Sequence, residues 1–193
     1  MSDRQALILE AAVRVIARNG VRGLRVEELA AEAGVSTALI YYHFKDRAGL
    51  VTRTLAFISD RATGYTDEAV QDADDARSVL LQLLLGELQD TPSVRENSIA
   101  WGELRASAVF DAGLRQALAE STRGWVQDTA DAVANARAAG LAEQGVAPLD
   151  VAERLTSLVE GLSERWLSGS LTLERARQLL TGAVDAELGP RPS

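Results

Sequence analysis

The 193-residue chain is 47% hydrophobic and 25% charged, carries a formal net charge of −8 and contains no cysteine, which excludes a disulfide scaffold, a thiolate metal site and a cysteine nucleophile. Its longest apolar run, VLLQLLL at 79–85, is far below the roughly 20 residues of a membrane span, and the opening stretch MSDRQALILEAAVRVIARNG lacks the basic-then-apolar layout of a signal peptide. A soluble, cytoplasmic, globular protein with no membrane contact is expected, as one domain or as a small module joined to a larger one.

Along the chain, nearly every segment has helical period. Leu7, Ile8, Ala11, Ala12, Val15 and Ile16 recur at spacings of three and four, and Asn19-Gly20 supplies a stop, so the spacing predicts a first helix over about 3–19. Val26, Leu29, Ala30 and Ala33 make a short second stripe ended by Gly34. Ser36 is a good N-cap for a third helix reaching about Phe44, with Leu39 or Ile40 and Phe44 turned inward. A longer helix begins near Arg47 and ends near Gly64 or in the polar stretch TDEAVQDADD. ARSVLLQLLLGELQD is apolar nearly all round and should be buried on more than one side.

Thr91-Pro92 breaks that run and opens a sixth helix over about Ser93–Phe110. Asp111 fits as the cap of a seventh, running to about Ala139 and closed by Gly140. Pro148 with Asp150 opens an eighth, and LTLERARQLLTGAVDAELG supplies the last, followed by a frayed tail, PRPS. With short connections and no sustained period-two alternation, the fold class is all-α, about nine helices.

Charge is uneven. Residues 1–53 hold eight basic and six acidic side chains, a balance of +2, and residues 54–193 hold the remaining 12 and 22, or −10. A mildly basic head on an acidic body suggests that one end meets a polyanion. In the head, two short helices joined by AGVS make a helix-turn-helix: Gly34 permits the tight turn, Val35 fills the space between helices and Ser36 restarts the chain.

Such a unit inserts the N-terminal end of its second helix into the major groove of DNA. Thr37, Ala38 and Leu39 then lie nearest the base edges, Thr37 with a hydrogen bond and its methyl, Ala38 with a methyl suited to thymine. Tyr41, Tyr42 and His43 are about 100° apart on the helix and cannot all point inward. Their polar tips would reach phosphates, as would Lys45 beyond the helix end and Arg25 at the start of the second helix.

The stretch ILEAAVRVIARNGVRGLRVEELAAEAGVSTALIYYHFKDRAGLV resembles the N-terminal DNA-binding domain of the TetR family of regulators. It has the long first helix, the Gly-containing loop, the E-x-A-x-x-A-G-V-S step and the Y-x-x-F-x-x-K/R exit. The resemblance implies base contacts near Thr37, Ala38 and Leu39 and phosphate contacts from Tyr41, Tyr42, His43 and Lys45. Arg25 stands where members often have Thr or Ser, and Ala38-Leu39 where many have Gly or Pro with a polar neighbour, which shifts weight from hydrogen-bond readout to methyl contacts and DNA shape.

The resemblance divides the chain into a helix-turn-helix domain, 1–46, and a ligand-binding and dimerisation domain, 47–193. The segment from SIAWGELRASAVFDAGLRQAL to LVEGLSERWLSG is similar to the choline-sensing repressors of betaine operons. It implies a cavity lined by Phe57, Leu85, Leu88, Trp101, Phe110 and Trp125, and an unidentified small-molecule effector. Glu103, Glu160 and Glu164 could meet a cation if buried.

Ala130, Val133 and Ala134 on one helix and Leu155, Leu158, Gly161, Leu162 and Arg165 on another offer faces for a four-helix homodimer interface. Two recognition helices about 34 Å apart can read a palindromic operator in double-stranded DNA.

The expected function is a ligand-responsive DNA-binding regulator, a repressor released by its effector. No cofactor or metal is expected. An enzyme is disfavoured, since the chain has one His and no Gly-x-Ser-x-Gly, His-Glu-x-x-His or phosphate-cradling glycine loop.

Overall fold

The computed structural model describes residues 2–71, 73–145 and 147–190, and within them there are nine helices and no strand: α1 (Asp3–Gly23), α2 (Val26–Ala33), α3 (Thr37–Phe44), α4 (Arg47–Ala69), α5 (Ala76–Gly86), α6 (Pro92–Ala108), α7 (Ala112–Ala138), α8 (Pro148–Leu167) and α9 (Leu173–Leu188). The final residues of the PRPS stretch, 191–193, and Asp72 of the acidic stretch lie outside the described residues. No helix among those described is long and apolar enough to cross a membrane.

The chain forms two compact units. The first, here called the head, joins the residues up to Arg61 with Glu96–Ser121; the second joins Ala62–Arg95 with the residues from Thr122 onward. Because α4, α6 and α7 each contribute to both, the head contains more than its three N-terminal helices.

The head core forms because the stripe of α1 meets those of its neighbours: Ile8, Val15 and Ile16 on α1, Leu29 on α2, Ile40 and Phe44 on α3, Leu50 and Leu55 on α4, and Ala100 and Leu104 on α6 are all buried together. Burying each large aliphatic chain is worth about 1.5–3 kcal/mol. Ion pairs fasten α2 to α1 on the outside: Glu32 accepts from Arg14 Nε at 2.8 Å and Arg18 Nη2 at 2.7 Å. These two guanidinium groups hold the Glu32 carboxyl down to about 2.

The ends of α1 and α6 differ from those expected, and α4 takes the later of its two. α1 does not stop at Asn19 but continues to Gly23 across a kink at Gly20, whose φ of 71° and ψ of 168° lie in a region essentially restricted to glycine. α4 runs past Gly64 and ends at Ala69, in the polar stretch that is the second of its two expected ends. There the packing of Thr66, buried with its Oγ1 bonded to Ala62 O at 2.9 Å, outweighs the roughly 1 kcal/mol propensity cost of a mid-helix glycine. α6 ends at Ala108, two residues early, because Asp111 Oδ1 already caps α7 by accepting from Leu114 N at 3.1 Å.

The second unit is built around Leu80 and Leu84 of α5, Leu88 just beyond it, Val133 of α7, Leu155 and Val159 of α8, and Leu180 and Val184 of α9. Arg77, only 2% exposed, spends its guanidinium on chain ends: it donates to Gly189 O at 2.8 Å, Leu141 O at 3.2 Å and Asp185 Oδ1 at 2.8 Å. Arg177 likewise caps α5, donating to Leu88 O at 2.7 Å. Burial pushes the Glu87 carboxyl up to about 7, although the Tyr65 hydroxyl donates to its Oε2 at 2.6 Å and opposes the shift.

Two stability measurements test these electrostatics. Glu32 is depressed, so its contribution is present above about pH 4.5 and lost as pH falls towards 2; the Tm gap between wild type and Glu32→Gln should close over that window. Glu87 is raised, so the folded state loses stability as pH climbs from about 4.5 through 7. Glu87→Gln should therefore be the more stable protein at pH 8, with its advantage gone at pH 4.

Candidate nucleic-acid interface

The turn between α2 and α3 is formed as the residue types demand. Gly34 caps α2 in the left-handed conformation, φ 63° and ψ 35°, with its N–H on the last carbonyls of α2. Val35 packs against the head core. Ser36, in extended geometry, accepts from Leu39 N at 3.2 Å and starts α3.

Ile40 and Phe44, four residues apart, then sink into the core at 1% and 5% exposure. Their burial fixes the rotation of the helix. Ala38, Tyr41 and Tyr42 are exposed, Tyr42 at 81%, while Thr37, Leu39 and His43 are half-buried. Of the two inward candidates, Ile40 rather than Leu39 takes the core position. His43 is held edge-on between two rings, 5.2 Å from Tyr42 and 6.1 Å from Phe44.

The helix ends in a strained turn. Lys45 has φ 64° and ψ −56°, and Asp46 N donates to Phe44 O at 2.7 Å, which together define a γ-turn of the rare positive-φ kind. A non-glycine residue held there costs on the order of 1–3 kcal/mol. Asp46 Oδ1 immediately caps α4, accepting from Gly49 N at 2.7 Å. One strained residue thus joins two capped helices and presents the Lys45 ammonium to solvent.

Arg25 is the N-cap of α2 and makes no side-chain cap bond, so its exposed guanidinium is not spent on the helix. Other head arginines are spent. Arg14 and Arg18 hold Glu32, Arg22 lies 5.8 Å from the Phe110 ring centroid, and Arg47 donates to the carbonyls of Val21 and Leu24. Counting charge along the chain does not reveal that Arg25 and Lys45 are the basic groups flanking α3. The sequence signal for Arg47 is its place at the start of a helix, three residues before the stripe that opens at Leu50.

The residues proposed for a cavity fall into both units. Phe57 is buried in the head core with Arg61 5.9 Å from its ring, and Trp101 packs on the same core under Arg105 at 5.4 Å. Phe110 is 79% exposed, beyond the end of α6. Leu85 and Leu88 are core residues of the second unit, and Trp125 packs against them partly buried.

The residues proposed for a dimer also separate. Ala130, Val133, Leu155 and Leu162 are buried within the chain, whereas Leu158 and Ala134 are half-buried and Gly161 and Arg165 exposed. Of the three carboxylates, Glu103 accepts from Val21 N, Glu160 is half-buried and Glu164 exposed. Among the described residues no group of three His, Cys, Asp or Glu side chains could hold a metal ion.

Similarity to known proteins divides along the sequence and not along the two units, since the second matched segment includes the α6–α7 residues of the head. Residues 8–54 match the family model for bacterial regulatory proteins of the tetR family, and residues 76–189 match that for the C-terminal part of BetI-type transcriptional repressors. The HTH-type transcriptional regulator BetI of Burkholderia ambifaria is 26% identical over 169 residues, 87% of this chain and 82% of that one. A crystal structure from Rhodococcus sp., assigned to the TetR-family transcriptional regulators, is 49% identical with a TM-score of 0.92 and covers 98% of this chain and 100% of its own. A Saccharomonospora viridis regulator crystallised with choline shares the fold at a TM-score of 0.85 and 24% identity, over 99% of this chain and 100% of its own. The protein belongs to the TetR family of helix-turn-helix DNA-binding transcriptional regulators, with a C-terminal part of the BetI repressor type.

Proposed function

We propose that the chain is a homodimeric repressor that binds a palindromic operator through α3 and leaves it when a small molecule occupies the 47–193 domain. The observation that carries this reading is the committed rotation of α3: Ile40 and Phe44 are buried, and Ala38, Tyr41 and Tyr42 face outward without an intrachain role in the core. Thr37, Ala38 and Leu39 read base edges. Tyr41, Tyr42, His43, Lys45 and Arg25 hold phosphates on either side.

Pairing of two chains is supported by what the last helices leave uncovered. Leu158 and Gly161 on α8, and Leu179, 37% exposed, with Gly182 on α9, form an accessible surface of apolar and small residues over the core that Val133, Leu155 and Leu162 fill. Gly161 and Gly182 let backbones approach closely. Ala134 and Arg165 border that surface.

Release by an effector is a population shift, in which the effector binds better to the conformation whose recognition helices are wrongly spaced for DNA. The BetI relatives and the choline complex make quaternary ammonium compounds the first effectors to test. The protein's place of action is the cytoplasm, with the chromosome.

Selection from a random duplex pool should yield an inverted repeat with half-sites about one DNA turn apart; enrichment of no sequence would sink the repressor reading. Thr37→Ala should relax preference within the half-site while preserving its spacing. Lys45→Gly separates strain from contact: Tm should rise by roughly 2–4 °C as about 1 kcal/mol of backbone strain is relieved. Affinity for all duplexes should fall together, with the salt dependence flatter by about one unit of slope.

A further inference from the structure

We infer that Glu103, on α6, is a positioning residue for the recognition helix and acts through a single residue, Val21, whose N–H and C=O face the two partners. The inference rests on the reading that α3 meets DNA and adds to it a specific connection within the head. Val21 N–H donates to Glu103 Oε2 at 3.3 Å. On the other side of the same residue, Val21 O accepts from Arg47 Nη2, while Arg47 Nε donates to Leu24 O at 3.2 Å. Arg47 is the first residue of α4, two positions after the strained Lys45 that closes α3. The route from α6 to the exit of the recognition helix therefore contains one carboxylate, one α1 residue and one guanidinium.

Local geometry commits Gly20 and Val21 to this role. Gly20 is non-helical, at a positive φ that other residue types rarely adopt, and Glu103 Oε2 lies 2.6 Å from where its Cβ would stand, so the carboxylate tip occupies space left by the missing side chain. α6 is itself fixed in the head: Ala100 and Leu104 are fully buried, and Asn97 Nδ2 donates to Ile58 O of α4 at 3.1 Å. A displacement of α6 accordingly reaches Val21 directly as well as through α4.

The contact is suited to coupling rather than to holding the fold. At 3.3 Å the bond is at the long end of the useful range, and Glu103 is exposed beside an open cavity of about 520 Å³ lined also by Arg18, Arg22, Ile99 and Phe110. Water can replace the Val21 N–H as the partner of the carboxylate and the carboxylate as the partner of the N–H. Breaking the bond thus costs little stability and mainly frees the position of the Val21 peptide.

The test uses full-length protein and a duplex selected from a random pool by the wild type. Glu103→Ala should keep its Tm within about 2 °C and weaken binding at least threefold, and Glu103→Gln, which keeps an acceptor oxygen, should restore affinity to within twofold. In a double-mutant cycle, Glu103→Ala should add less than twofold to the effect of Arg47→Ala, because both act on one residue, Val21. Unchanged affinity in Glu103→Ala, or effects of the two substitutions that multiply in full, overturns the inference.

Amide hydrogen exchange supplies an arm independent of DNA, and it applies even if Arg47→Ala does not fold or the wild type selects no duplex. Glu103→Ala should speed exchange in 21–25 and at the α3–α4 junction, 44–48. Acceleration confined to α6, or none, overturns the relay. Failure of the wild type to select a duplex bears on the repressor reading alone.

Discussion

The burial of Ile40 and Phe44 in the head core is the constraint from which the rest of the interface follows. Residues on a helix are about 100° apart, so anchoring two positions four apart leaves no freedom in where the others point. Tyr41 and Tyr42 are outward because their neighbours are inward, and His43 is caught between rings because it lies on the boundary of the two faces. A DNA-reading surface made in this way needs no polar network of its own to hold it.

The charge of the head is organised by the same economy. Glu32 is shared by Arg14 and Arg18, Arg47 is engaged by backbone carbonyls, and Phe110 lies beside Arg22. Flanking α3 is a pair of exposed cations, Arg25 and Lys45, one at each end of the helix-turn-helix. The surplus of +2 counted from sequence carries no position, whereas the structure shows which cations stand beside α3.

The local part of this arrangement was legible in the sequence, because it is written in nearest neighbours. Gly34, Val35 and Ser36 specify a turn, and Asp111 and Pro92 start helices where expected. What was not legible depended on partners far along the chain. Gly20 reads as a stop and is a kink: its positive φ suits glycine, and α1 resumes beyond it so that Val21 meets Glu103, more than eighty residues later. Of the two ends the sequence offers α4, Gly64 and the polar stretch after it, the second is taken, with Thr66 buried inside the helix. Phe110 reads as part of the sixth helix and lies two residues past its end, 79% exposed. Val133, Leu155 and Leu162 read as an intersubunit stripe, yet an apolar stripe carries no mark of whether its own chain or another will cover it, and here its own chain does.

The two residues between α3 and α4 also limit how the chain can diverge. With Lys45 in a γ-turn and Asp46 already capping the next helix, there is no slack to absorb an inserted or deleted residue. Either change would rotate everything downstream by about a quarter of a helical turn. Sequence drift at this junction is therefore confined to substitution. A change in what α3 presents to solvent has to be made in its outward residues, since its length and rotation are fixed by the junction behind it and the core beneath it.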